Sequence, residues 1–246
     1  MRGRFIALML LSVFFLSSCM NMNRTLPDAV ADFGGFYIEE SLFRQEMSLQ
    51  AYYVRMQVEQ ECDVTLDNNV EAWSVDYGNV NPLLLLKQYA LESAVRSKAI
   101  FVLARESGIL KTDNFDVVSA DYAGAFWSEP LDDSAIVGEN EWRYSAFMDA
   151  VTSQLIQSLR DQITDSDIKT FIEETGVDYL SEYINMSPEE RESPALLSKA
   201  VCADRRRSVV LDLMQNKLFE SQIAKLLDTN DVSVRSEAYD AVLPDF

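Results

Sequence analysis

The segment from Pro82 to Gly108 constrains the fold most. Its interior holds no glycine and no second proline, Pro82 sits where a first helical turn tolerates proline, and Gly108 sits where a helix commonly ends in a left-handed residue. Leu84, Gln88, Leu91, Val95, Ala99 and Val102 step by three or four residues. That spacing predicts one long helix with a single buried stripe.

The same reasoning predicts further helices. Glu39 to about Gln60 carries Leu42, Met47, Tyr53 and Met56 among charged residues, without glycine or proline. From Trp142 to Ile163, the series Phe147, Val151, Leu155, Leu159, Ile163 repeats every fourth residue. A new helix start at Thr164 or Asp165 precedes Ile168, Phe171 and Ile172. A last long helix is expected to start near Asp204, with Leu211, Met214, Leu218 and then Phe219, Ile223, Leu226 facing inward. Between them, Cys62 to Asn81 reads as a long polar connection, and Lys111 to Glu141 as a short helix followed by a loop.

Strand signals are confined to the two ends. Gly34-Gly35 between two short apolar stretches predicts a two-residue hairpin, and Val232, Val234 and the stretch Tyr239 to Leu243 are weaker strand signals. The expected class is mostly α (α+β), without internal repeat or sustained heptad.

Charge and composition narrow the function classes. Lys and Arg number 21 against 40 Asp and Glu, a formal charge of −19 that argues against nucleic-acid binding. Hydrophobic residues make up 48% of the chain, enough for a real core. The chain has no histidine, which removes Ser-His-Asp triads, Cys-His dyads and His-ligated zinc. No catalytic residue, metal or cofactor is assigned.

The first residues read as an address. Arg2 and Arg4 precede an apolar run, Phe5 to Leu16, of the length of a secretory h-region. It ends in Leu16-Ser17-Ser18-Cys19, which resembles the lipobox of bacterial lipoproteins, in which the cysteine thiol takes a diacylglycerol group. The expected organisation is a signal peptide over residues 1–18, a lipidated tether over 19–29 and one domain over 30–246. So acidic a chain is repelled by an anionic bilayer, so membrane attachment falls to the lipid on Cys19.

Other patterns have plainer explanations. Asp63, Thr65, Asp67, Asn69 and Glu71 have the rhythm of a calcium loop, but Asn68 and Ser74 stand where the required glycine and bidentate glutamate belong. Ser166-x-x-Lys169 matches the serine-lysine pattern of penicillin-recognising enzymes without its companion motifs, and helix capping explains the local sequence better. The pair Asp132 and Asp133 carries little information among 40 acids. Arg205, Arg206 and Arg207 form the one basic cluster, expected to bridge to the acidic body or, in a minority reading, to recognise a partner. Phe36, Tyr37, Phe43, Met47, Tyr52, Tyr53 and Met56 are expected to be mostly core, with any exposed subset suited to binding apolar peptide segments.

Two stretches carry a family resemblance. Asn81 to Gln88, continuing through Val95-Arg96-Ser97-Lys98 to Leu103-Ala104-Arg105-Glu106-Ser107-Gly108-Ile109, resembles the helix of SurA/PrsA-type periplasmic foldases that ends in Ala-Lys-x-x-Gly-Ile. Phe36 to Phe43 resembles that family's opening strand and helix, and Ile163 to Lys169 resembles one of its helix starts. The resemblance implies a discontinuous helical chaperone-type domain whose N- and C-terminal segments pack together with a small β element. The chain departs from the family in having no histidine and only Gly176 to Ala203 where a parvulin domain of about a hundred residues would be inserted. What is implied is a lipid-anchored chaperone scaffold in the cell envelope, facing the periplasm or extracytoplasmic space, without prolyl isomerase activity. Its partners would be unfolded or exported polypeptides; the alternative is a structural or assembly lipoprotein with one dedicated envelope protein as partner. That arrangement would also bring together Cys62 and Cys202, which flank the first and last long helices, either as a disulfide or as two buried thiols.

Overall fold

The computed structural model describes residues 28–125, 138–175 and 199–245. In chain order the elements are β1 (Ala29–Phe33), β2 (Phe36–Glu39), α1 (Glu40–Cys62), α2 (Val70–Trp73), α3 (Pro82–Glu106), α4 (Phe115–Ala125), α5 (Glu139–Ser158), α6 (Asp165–Thr175), α7 (Lys199–Thr229), β3 (Val232–Val234) and α8 (Ser236–Ala241). A single 3-10 turn, Arg160–Gln162, joins α5 to α6. The protein is mostly α, with one antiparallel sheet ordered β2-β1-β3.

The sheet ties the two ends of the chain together. β1 pairs with β2 through the Gly34-Gly35 turn and, on its other side, with β3, so that Ala31 stands opposite both Ile38 and Val234. Both glycines have positive φ, +57° and +87°, as a two-residue primed turn requires. Gly34 is further constrained from outside: a Cβ there would lie within 2.6 Å of the Cβ of Asn230, whose amide donates to the Leu226 carbonyl at the end of α7. Gly34→Ala therefore combines backbone strain with a collision and is expected to cost about 2–3 kcal/mol. Gly35→Ala, with open space around its Cβ, should cost only about 1 kcal/mol. Urea denaturation at unchanged slope separates the two; equal costs would mean that Asn230 does not constrain the turn.

Helix α3 is the axis of the fold. Asn81 accepts from the Leu84 N–H at 3.0 Å and caps the start, Pro82 occupies the first turn, and Gly108 at φ +72° ends a Schellman motif. In that motif the Ile109 N–H reaches the Ala104 carbonyl at 2.8 Å and the Gly108 N–H reaches Arg105 at 3.0 Å. From Ser97 to Ala104 every residue is buried, because α1, β2, α5 and α7 all contact this helix.

That all-round burial corrects the expected stripe. Val95, Ala99 and Val102 are buried as expected, but Leu84 is 64% exposed and Gln88 also faces solvent, while Leu86, Ala90 and Ala94 line the packed side and Phe101 the centre. The apolar spacing was ambiguous because the N-terminal part of α3 is covered on fewer sides than its C-terminal part. A second correction concerns Tyr239 to Leu243, expected as strand. Ser236–Ala241 is a short helix, in which Tyr239 packs on Phe43 at 5.2 Å and Val242 follows into the core.

Helix α7 serves two cores. Phe219 and Ile223 belong to the main core, whereas Val210 and Leu211 pack with Ile168 of α6 in a small separate cluster. The helix already runs at Lys199, earlier than the expected start near Asp204, so Arg205 to Arg207 fall within it; their side chains, like that of Cys202, lie outside the described residues.

Candidate functional site

Helix α1 sorts its aromatic and methionine residues by face. Phe43 and Met47 are fully buried with Val54 and Val58, so neither presents a binding surface. Tyr52, Tyr53 and Met56 point the other way and are 49%, 65% and 50% exposed. Phe36 and Tyr37 are half-buried, and both rings are covered by cations: the Arg105 guanidinium lies 5.6 Å from the Phe36 ring, and that of Arg235 5.1 Å from Tyr37. The exposed subset of the seven is thus Tyr52, Tyr53 and Met56.

A second apolar surface escaped the sequence reading. Between α6 and α7 runs an open groove of about 520 Å³, with Ile163, Phe171, Met214 and Leu218 as apolar lining and Asp167, Glu174 and Lys217 among its polar residues. The signal was present in the spacing. Leu211, Met214, Leu218 and Phe219, Ile223, Leu226 are two series offset by one residue, the mark of a helix that turns two different faces inward along its length.

The α6 start that forms one wall of this groove is held by reciprocal hydrogen bonds. The Thr164 N–H and hydroxyl both donate to Asp167 Oδ2, at 2.9 and 2.6 Å, and the Asp167 N–H donates to Thr164 Oγ1 at 3.2 Å. The bonds from the Thr164 side chain and then its backbone hold the Asp167 carboxyl below its ordinary value. Because the folded value is the lower one, this contribution is complete above the unfolded carboxylate value and is lost as pH falls through the folded one. The Asp167 carboxyl carbon followed by NMR should titrate below 3.8 in the native chain and move upward in Thr164→Ala; an unchanged midpoint in that variant would remove the cap from the account.

The interior contains more chemistry than the sequence suggested. Glu46 on α1 is 2% exposed and accepts from Ser93 at 2.7 Å, Ser97 at 2.7 Å and the Tyr144 hydroxyl at 2.5 Å, joining α1, α3 and α5. These four residues also line an open pocket of about 390 Å³, whose other walls include Leu49, Ile100, Met148 and Phe219 and the polar Arg96, Asp149 and Glu220. Nearer the sheet, Lys98 donates to both oxygens of Glu39 at 2.9 and 3.2 Å and to the Asp113 carbonyl at 2.6 Å. Lys87 donates to the Tyr239 and Asp240 carbonyls at 3.0 Å each; burial pulls its ammonium below the ordinary value, against the opposing pull of the Asp240 carboxylate. Such groups were invisible as a set because Glu46, Ser93, Ser97 and Tyr144 come from three separated segments.

The remaining motifs have local tasks. Asn69 of the calcium-like stretch caps α2 by accepting from the Ala72 N–H at 2.8 Å, Asp63 ends α1 at φ +54°, and Asn68 accepts from Arg55. Among the described residues there is no group of three or more side chains suited to a metal. Ser166 is exposed and Lys169 reaches Glu173 at 3.8 Å, so the two form no dyad in a cleft. Cys62 is half-buried with a free thiol, its Sγ 3.5 Å from the Tyr77 carbonyl. Cys19, the Cys202 side chain and the Asp132 and Asp133 pair lie outside the described residues. No described helix is long and apolar enough to cross a membrane. No family model, curated protein or solved structure matches the chain.

Proposed function

We propose that the protein is a lipid-anchored, extracytoplasmic holding protein that takes unfolded or exported polypeptide segments into the groove between α6 and α7. The observation that carries this reading is the groove itself. Its apolar lining, with methionine among it, suits segments of varied sequence; Ile163, Phe171 and Met214 pack on the satellite cluster, while Leu218 packs on the main core. A chain of charge −19 stays soluble while displaying apolar surface and favours segments that carry basic residues. Cys19 would supply the membrane attachment through its lipid. Prolyl isomerisation forms no part of the reading, and no cofactor is invoked.

Two variants test the anchor and the groove separately. Cys19→Ser should move the protein from the detergent phase to the aqueous phase and abolish acyl labelling with an unchanged far-UV spectrum; persistent partitioning would refute the anchor. The anchor-free protein should slow aggregation of a denatured client at equimolar ratio. A Met214→Asp/Leu218→Asp variant that still unfolds cooperatively should lose that effect. Equal suppression by both proteins would refute the groove. The exposed Tyr52, Tyr53 and Met56 favour a second reading, one dedicated partner docked on α1, since exposed tyrosines are frequent interface anchors. Stable stoichiometric capture of one envelope protein, lost on Tyr53→Ala and indifferent to the groove variant, would select it.

A further inference from the structure

The Glu46 carboxylate is an unusual group to find inside a helical core. A buried carboxylate is ordinarily matched by a cation, because neutral donors leave its charge uncompensated in a medium of low dielectric. Lys98 and Glu39 meet that expectation a few turns away. Glu46 does not: among the described residues its donors are three hydroxyls, those of Ser93, Ser97 and Tyr144. Arg96, which lines the same cavity, is committed to Glu220 at 2.7 Å.

The two carboxylate oxygens are unequally supplied with donors. Ser97 and Tyr144 both bond to Oε1, while Oε2 receives only Ser93, and a carboxylate offers about four lone-pair sites across its two oxygens. The open pocket beside this group has apolar walls, Leu49, Ile100, Met148 and Phe219; among its charged lining Arg96 and Glu220 offset each other, which leaves Asp149 at the exposed rim as further negative charge. Apolar walls with a few convergent polar groups are the general form of a small-ligand site.

We infer that this cavity binds a primary alkylammonium group, its charged head on Glu46 Oε2 and its methylene stem along the apolar walls. A hydroxyl ligand would leave the charge uncompensated, and an anion would be repelled. The chemistry is shared by free alkylamines and by the lysine side chain of a polypeptide. The site goes beyond the groove between α6 and α7 and does not depend on it.

Titration of the full-length body, freed of its anchor, with n-butylamine tests the inference. Saturable amide shifts at Ser93, Ser97 and Tyr144 are expected in two-dimensional NMR, with none from n-butanol at the same concentrations. Glu46→Gln should weaken amine binding about tenfold or more, the scale of a lost charge-assisted hydrogen bond. Because Glu46→Gln could disturb the packing of α1, Met148→Trp serves as a second variant: it puts a bulkier ring into the pocket from a half-buried position while keeping the carboxylate, and it should weaken amine binding. The Met214→Asp/Leu218→Asp variant should bind the amine as the native chain does, so failure of the groove reading and failure of this one are distinguishable. A lysine-containing peptide compared with its norleucine counterpart separates the two sources. Binding of the peptide and not of butylamine assigns the site to polypeptide lysines, and the reverse assigns it to free amines. Absence of saturable shifts with either, or binding unaltered in Glu46→Gln, would overturn the inference and leave Glu46 as a packing contact between helices.

Discussion

Lys98→Ala is expected to lower stability by about 3–5 kcal/mol, because it strands a charge in the interior. The Lys98 and Glu39 side chains are only 3% and 7% exposed, and with the ammonium gone the carboxylate keeps one short-range donor, the Phe115 N–H at 3.3 Å. The Asp113 carbonyl loses its partner as well. Arg96→Ala, which removes an ion pair whose side chains are 45% and 54% exposed, should cost less than about 1 kcal/mol. Combining Lys98→Met with Glu39→Gln removes both charges and should recover a large part of the loss. Urea denaturation of the three variants gives the comparison. A Lys98→Ala cost as small as that of Arg96→Ala would show that Glu39 finds water or another cation in the folded state.

The largest purely apolar effect is expected at Phe101. Its ring is fully buried, 6.1 Å from Phe115 and 6.3 Å from Phe147, where α3, α4 and α5 meet. Phe101→Ala should cost about 3–5 kcal/mol through lost burial and the cavity left behind. Leu84→Ala on the same helix should stay within about 0.5 kcal/mol of the native chain, since Leu84 is 64% exposed. The contrast has force because periodicity alone places Leu84 in the stripe and passes over Phe101. Similar costs at the two positions would restore the simple stripe.

What the sequence made legible was local. Pro82 and Gly108 bracket α3, the fourfold spacing from Phe147 to Leu155 marks the buried face of α5, which ends at Ser158 rather than at the expected Ile163, and the Gly-Gly pair makes the turn between β1 and β2, because each depends on chemistry within a few residues. What stayed hidden depended on who packs against whom. Leu84 and Leu86 are indistinguishable by hydropathy, and only the neighbours packed around α3 decide which is covered. Tyr239 to Leu243 has strand-like composition, yet Ser236–Ala241 folds as a helix, in which Tyr239 packs on Phe43 and its carbonyl receives Lys87, contacts that no local pattern announces. The candidate sites were the least legible of all. Of seven residues singled out on the first hairpin and helix, Phe43 and Met47 went to the core, while the α6–α7 groove and the Glu46 cavity assemble from segments far apart in the chain.

The position of β1 between β2 and β3 sets an order of events for a chain made from its N-terminus. Ala31 meets Ile38 almost as soon as the hairpin emerges, but its other neighbour, Val234, arrives only after every helix up to α7 has been made. Throughout that interval one edge of a strand that is almost wholly buried in the finished protein stands open, and an open apolar edge is a template for pairing with other chains. Pairing across so long a stretch is also among the slower steps a fold can require. During its own production, therefore, this chain is the kind of unfinished polypeptide that we propose the finished one holds.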